Sequence, residues 1–112
     1  MHDDSSTDDW PPPEARLQAI LWRAEGHLFR SEFGQASRTL DEAAGLGERD
    51  FVAGLRHLAA AGHRAQTGEA GRARRQLAHA RRRLATFLPE HREVEVARLL
   101  DAVVESADRE LA

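Results

Sequence analysis

At 112 residues the chain has room for one domain with a modest core, and its 41% hydrophobic and 31% charged content describes a globular body, neither wholly disordered nor embedded in a membrane. It contains no cysteine, which excludes disulfides, thiolate nucleophiles and cysteine-based zinc sites. No apolar run reaches transmembrane length, and a net charge of -3 argues against a protein that coats nucleic acid with every face.

The opening MHDDSSTDDW, followed by three prolines, is acidic and lacks the basic and apolar segments of a secretory leader. Residues 1–13 therefore read as an acidic, flexible tail, residues 14–112 as a single helical domain, and the cytoplasm as the compartment. Helix one is expected from Pro13 or Glu14, since proline is tolerated in a first helical turn. Leu17, Ile20, Leu21, Ala24 and Leu28 share one side of a 3.6-residue helix and form its core stripe. Trp22 and Phe29, seven residues apart, point away from that stripe as a second apolar patch. Large exposed patches are uncommon on monomers, so cover is expected from the tail with Trp10, from a neighbouring helix or from a second subunit, and cover within the chain is the first expectation.

After a turn around residues 31–33, a short helix two should turn Ala36, Leu40 and Ala43 inward and end at the GLG of Gly45 to Gly47. Helix three is expected from Arg49 or Asp50 to Gln66, with Phe51, Leu55, Leu58, Gly62 and Ala65 as its stripe. Gly54, Ala59, Ala61 and Gly62 are small enough to let another helix approach closely. Thr67 and Gly68 interrupt the pattern before helix four, whose inward positions are Ala70, Ala73, Leu77, Ala80, Leu84 and Leu88, stopped by Pro89. Helix five should run from about Arg92 to Glu110, burying Val96, Leu99, Leu100, Val103 and Ala107. No alternation of period two suggests a strand.

The segments AEGHLFRSEFGQASRTLDEA and AAGHRAQTGEAGRARRQLAHA repeat one another: each reads Gly-His, a turn, then Ala-x-x-x-Leu-x-x-Ala, with one extra residue placed in the second turn. The reading is an all-α, five-helix bundle of two tetratricopeptide-like hairpins plus a C-terminal helix, since two copies are too few for a solenoid. In this alignment His27 and His63 are equivalent.

The stretches FVAGLRHLAAAGH, TGEAGRAR and VEVARLL resemble the Phe-x-x-Gly-Leu helix, the Gly-Asn-x-x-Gly-Ala turn and the last helix of the bacterial and archaeal family called domain of unknown function 309. Gly54, Leu55, Gly68 and Ala73 carry most of the likeness, which covers about residues 17–104. It implies a small all-helical protein and no defined activity. The family's Glu-Ala-His-Glu stretch is replaced here by Gln35, Ala36, Ser37 and Arg38, so no site residue carries over.

Chemistry is sparse. Residues 62–84 hold seven arginines and one acid, and Arg72, Arg75, His79 and Arg82 share one face of helix four with Arg83 nearby. Such a ridge could follow phosphates, although no aromatic is interleaved to stack a base; the plainer reading is the solvated face of an amphipathic helix. Arg74 and Arg81, at the margin of the stripe, are expected to pair with Asp41, Glu42, Asp101 or Glu105. All sixteen basic residues are arginine, a bias that suits a GC-rich bacterial genome. No two histidines have the i, i+4 spacing of a helical metal site, and there is no phosphate loop or nucleophile elbow; His27, Ser37 and His63 form only a weak enzyme-like constellation. The expectation is a protein-interaction or scaffold module without cofactor or metal, self-associating through Trp22 and Phe29, with a polyanion or nucleic-acid binder using Arg72, Arg75, Arg82 and Arg83 as the alternative. Asp3, Asp4, Asp8 and Asp9 could mask that ridge.

Overall fold

The computed structural model describes residues 10–112, and among them are five α-helices: α1 (Pro13–Phe29), α2 (Phe33–Asp41), α3 (Arg49–Gln66), α4 (Ala70–Leu84) and α5 (Val96–Leu111). A 3-10 turn, Ala85–Phe87, follows α4, and the described residues contain no strand, only an isolated bridge between His91 and Val94. The chain is all-α. Most of the expected acidic tail, including its four aspartates and their proposed masking role, lies outside the described residues.

Pro13 occupies the first turn of α1, where its missing N–H is no loss, and Arg16 N–H donates to Pro12 O at 3.0 Å. All five residues of the α1 stripe are buried. The inward residues of α2 and the whole stripe of α3 are buried as well, so hydrophobic spacing alone identified these faces.

The structure is organised around α3, which packs against α2, α4 and α5 while α1 lies against α2 and α5. Two glycines permit this. A Cβ on Gly54 would come within 2.6 Å of Leu84 Cδ2, and one on Gly62 would run into the ring of buried Phe33. Leu84 therefore holds α4 on one flank of α3, and Phe33 holds the start of α2 on another.

The two hairpins turn through the same backbone path. Arg30 and Thr67 close their helices at φ -90, ψ 6 and φ -92, ψ 6. Ser31 and Gly68 follow at φ 60 and 78, then Glu32 and Glu69 at φ -93, ψ 67 and φ -91, ψ 71. In both, the glutamate N–H bonds back at 2.8 Å, to His27 O and Arg64 O. Equivalent residues are thus 37 apart, and the second turn has no extra residue. Ala36, Leu40 and Ala43 still match Ala73, Leu77 and Ala80. His27, however, corresponds to Arg64 rather than to His63.

The last third departs from simple helical periodicity. Helix α4 stops at Leu84, and the tighter 3-10 turn shifts the phase, so Phe87 rather than Leu88 faces inward. Phe87 packs on Phe51 with ring centroids 5.0 Å apart, and His91 packs on both rings at 4.6 and 4.8 Å, leaving Leu88 45% exposed. Helix α5 begins at Val96, four residues after the expected Arg92. Arg92 and Glu93 instead take left-handed φ of 49 and 59 in a tight turn closed by His91 N–H to Val94 O at 3.1 Å and Val94 N–H to His91 O at 2.9 Å. That turn buries Val94 completely.

Gly62→Ala is expected to lower stability by about 1–3 kcal/mol in urea denaturation, because the rigid Phe33 ring cannot yield easily. Gly34→Ala in α2, where the added Cβ meets nothing nearer than an Arg38 guanidinium nitrogen at 3.6 Å, is expected to raise stability by about 0.5–1 kcal/mol. Equal effects from the two substitutions would show that the helices do not approach this closely.

Candidate ligand groove and cationic cleft

Because α2 and α4 sit on different flanks of α3, a trough remains between them. It has a volume of about 860 Å³ and runs over the outer side of α3. Leu40, Ala43, Ala44 and Gly45 form one wall, Val52, Ala53 and Ala60 the floor, and Arg49, Arg56, His57 and Gln76 the rim. Ala53 and Ala60, the half-buried residues of that floor, are small.

The rim is partly tethered. Arg56 pairs with Asp41 at 2.8 Å, although both side chains remain more than half exposed and such a pair contributes little to stability. His57 Nδ1 donates to Gln76 Oε1 at 2.8 Å, since a carboxamide oxygen only accepts. The His57 ring stacks on His79 with centroids 5.2 Å apart. Arg82 donates to His79 Nδ1 at 2.8 Å, so that nitrogen carries the lone pair.

Gln76 also lines a second, polar cleft of about 290 Å³ with Arg64, Arg72, Arg75 and His79. At its edge, Glu69 accepts from Arg64 at 3.1 Å through one oxygen and from Arg72 at 3.1 Å through the other. The Thr67 hydroxyl donates to the same carboxylate at 2.7 Å. Thr67 first, then Arg64, hold the Glu69 carboxyl below its ordinary value of 4.5 against a weaker opposing effect of burial. Among the described residues no carboxylate pairs with Arg75.

The arginine ridge is therefore only half what its helical wheel suggests. Arg72 and Arg75 come together in the cleft, and Arg82 lies about two turns beyond Arg75, against His79. Arg83 leaves the face: its stem rests against Gly54 and its guanidinium points to Asp50 at 3.9 Å. Arg64, from the preceding helix, takes its place. Correct registration of the repeat would have flagged it, since Arg64 meets Glu69 as His27 meets Glu32 at 2.8 Å in the first hairpin.

Other expectations need correction. Among the described residues Arg74 and Arg81 pair with none of the four carboxylates suggested for them. Asp41, Glu42 and Glu105 are paired to Arg56, Arg23 and Arg109, and Arg74 instead lines a small cleft with Asp108 beside α5. His63 is exposed while His27 is bonded to Glu32, so the two do not form a pair. No group of three potential metal ligands occurs among the described residues.

Trp22 and Phe29 keep their apolar surface open, at 47% and 38% exposure, so cover within the chain is incomplete. The patch lies on the α1 side facing α5: Arg98 sits 5.9 Å from the Phe29 ring, and Glu25, between the two aromatics in sequence, accepts from Glu95 N–H at 2.9 Å. It is separate from the groove over α3. Among the described residues no helix is long and apolar enough to cross a membrane.

No model of a known family, no curated protein and no solved structure matches the chain. The groove and cleft therefore stand on their own geometry.

Glu69, with its lowered folded-state value, contributes stability that is present above about 4.5 and lost as pH falls through the lower folded value. A carbon-detected carboxyl titration is expected to place Glu69 below 4.5, and Thr67→Val to move it upward. A midpoint at or above 4.5 in the unmodified protein would contradict the arrangement.

Proposed function

We propose that this chain is a small helical interaction module whose groove over α3 receives one amphipathic segment of a partner protein. One observation carries this reading: an apolar trough of about 860 Å³, floored by small side chains and rimmed by Arg49, Arg56, His57 and Gln76. Apolar side chains of the segment would displace water from Val52, Ala53 and Ala60, and acidic residues flanking them would meet the arginines. This is the logic of helix-in-groove recognition, where spaced apolar anchors give affinity and rim charges set orientation.

Selection of a displayed peptide library against the protein is expected to enrich sequences that combine spaced apolar residues with Asp or Glu. Ala53→Trp, which fills the trough at a half-buried position, should weaken the selected peptides at least tenfold without unfolding the protein, whereas Arg38→Ala on the exposed side of α2 should not. Equal binding to both variants would overturn the assignment.

Self-association through Trp22 and Phe29 is a second reading, supported by the exposure of two large aromatics one heptad apart on α1. Sedimentation is expected to show a dimer that Trp22→Glu dissociates. A strict monomer at high concentration would end this reading and leave the groove untouched.

A kinship with the small helical family called domain of unknown function 309 belongs to the same proposal. Its support is that the residues carrying the likeness hold demanding positions: Gly54 under Leu84, Leu55 fully buried, Gly68 at φ 78, and Ala73 buried.

A further inference from the structure

The geometry points to the polar cleft between α3 and α4 as a seat for a single phosphoryl group carried by a peptide, with Arg64, Arg72 and Arg75 as its donors. The seat itself stands on the cleft alone; the choice of a peptide as carrier rests on the groove reading above.

Three arginines line a cleft of about 290 Å³, and Glu69 at its edge is bonded to two of them, Arg64 and Arg72, leaving two positive charges in surplus. A phosphorylated side chain carries about -1.5 to -2 charges at neutral pH and three acceptor oxygens, which matches that surplus. Glu69 does not saturate the donors. Each guanidinium offers five N–H groups, and Arg64 and Arg72 each give one to Glu69, so the carboxylate steadies their planes while most of their donors stay available. Arg75 folds over Gly71, whose added Cβ would lie 3.6 Å from its guanidinium, and has no carboxylate partner among the described residues.

The surroundings favour a peptide over a nucleic-acid strand. A strand needs cations repeated along its backbone and surfaces to stack its bases. Here the row breaks, because Arg82 is engaged with His79 and Arg83 turns toward Asp50, and no Trp, Tyr or Phe lines the cleft. The cleft opens instead beside the apolar trough, with Gln76 common to both. A segment lying in the trough would bring one modified side chain into the cleft as it crosses Gln76.

The experiment has two arms. In the first, inorganic phosphate is titrated into the full chain while the arginine Nε–H resonances are followed by NMR. Arg64, Arg72 and Arg75 should shift together and saturate, Arg81 should not, and Arg75→Ala should weaken binding at least fivefold. Shifts no larger than those of Arg81, or equal losses from Arg75→Ala and Arg81→Ala, would overturn the seat whether or not the groove binds peptides. In the second, a peptide pool with fixed phosphoserine and randomised flanks is compared with the same pool bearing serine and with a twelve-residue oligothymidylate. The phosphorylated pool should be retained at least fivefold more than the serine pool and should lose that advantage on Arg75→Ala. Equal retention of the two pools, or stronger retention of the oligonucleotide, would overturn the peptide-borne phosphoryl group. Loss of trough binding with phosphate binding intact would identify the groove reading, rather than the seat, as the failure.

Discussion

The close seating of Leu84 and Phe33 on α3 is the constraint on which the remaining structure depends. Both contacts exist only because Gly54 and Gly62 present no side chain where those two land. Interiors are packed to crystal-like density, so a methyl group at either site would have to push Leu84 or Phe33 aside rather than fill a void. With α2 and α4 held on different flanks, the outer side of α3 is left with small residues facing water, and this is the trough. The candidate site is thus a by-product of how the core closes.

Charge is then placed by the hairpin turns. The same left-handed step, made by Ser31 in one copy and Gly68 in the other, brings a glutamate back beneath the preceding helix. In the first copy that glutamate meets His27; in the second it meets Arg64, with Arg72 on its other oxygen. A small sequence change inside a conserved turn geometry converts a local tether into part of a cationic cleft. The three arginines ending α4 have a simpler structural role as well, because positive charge near a helix C-terminus is stabilised by the helix dipole.

Core faces were legible wherever the chain is plainly helical. The 3.6-residue spacing identified the stripe of α1 to the residue; in α3 every residue of the stripe is buried, but Val52 beside it is buried too, because α3 is packed on more than one flank. It misplaced Leu88 and omitted Phe87 and Val94, since a 3-10 turn and a tight left-handed turn change the phase, and neither leaves a hydrophobic period to read. The site was less legible. A helical wheel puts Arg72 and Arg75 side by side, as they are in the cleft, but says nothing about neighbours, so it kept Arg82, which is tied to His79, and Arg83, which α3 draws away, and missed Arg64, which α3 supplies. The trough was invisible for a related reason: Ala44, Ala53 and Ala60 look like spacers until the helices that flank them are in place.

Native-state hydrogen exchange on α3 tests the central claim most directly. If its close contacts hold α2 and α4 in place, amides from Leu55 to Ala61 will be the slowest in the chain and will exchange only through global unfolding, with the opening free energy seen in denaturant. Exchange of that segment through a smaller, local opening, while α1 stays protected, would contradict the account.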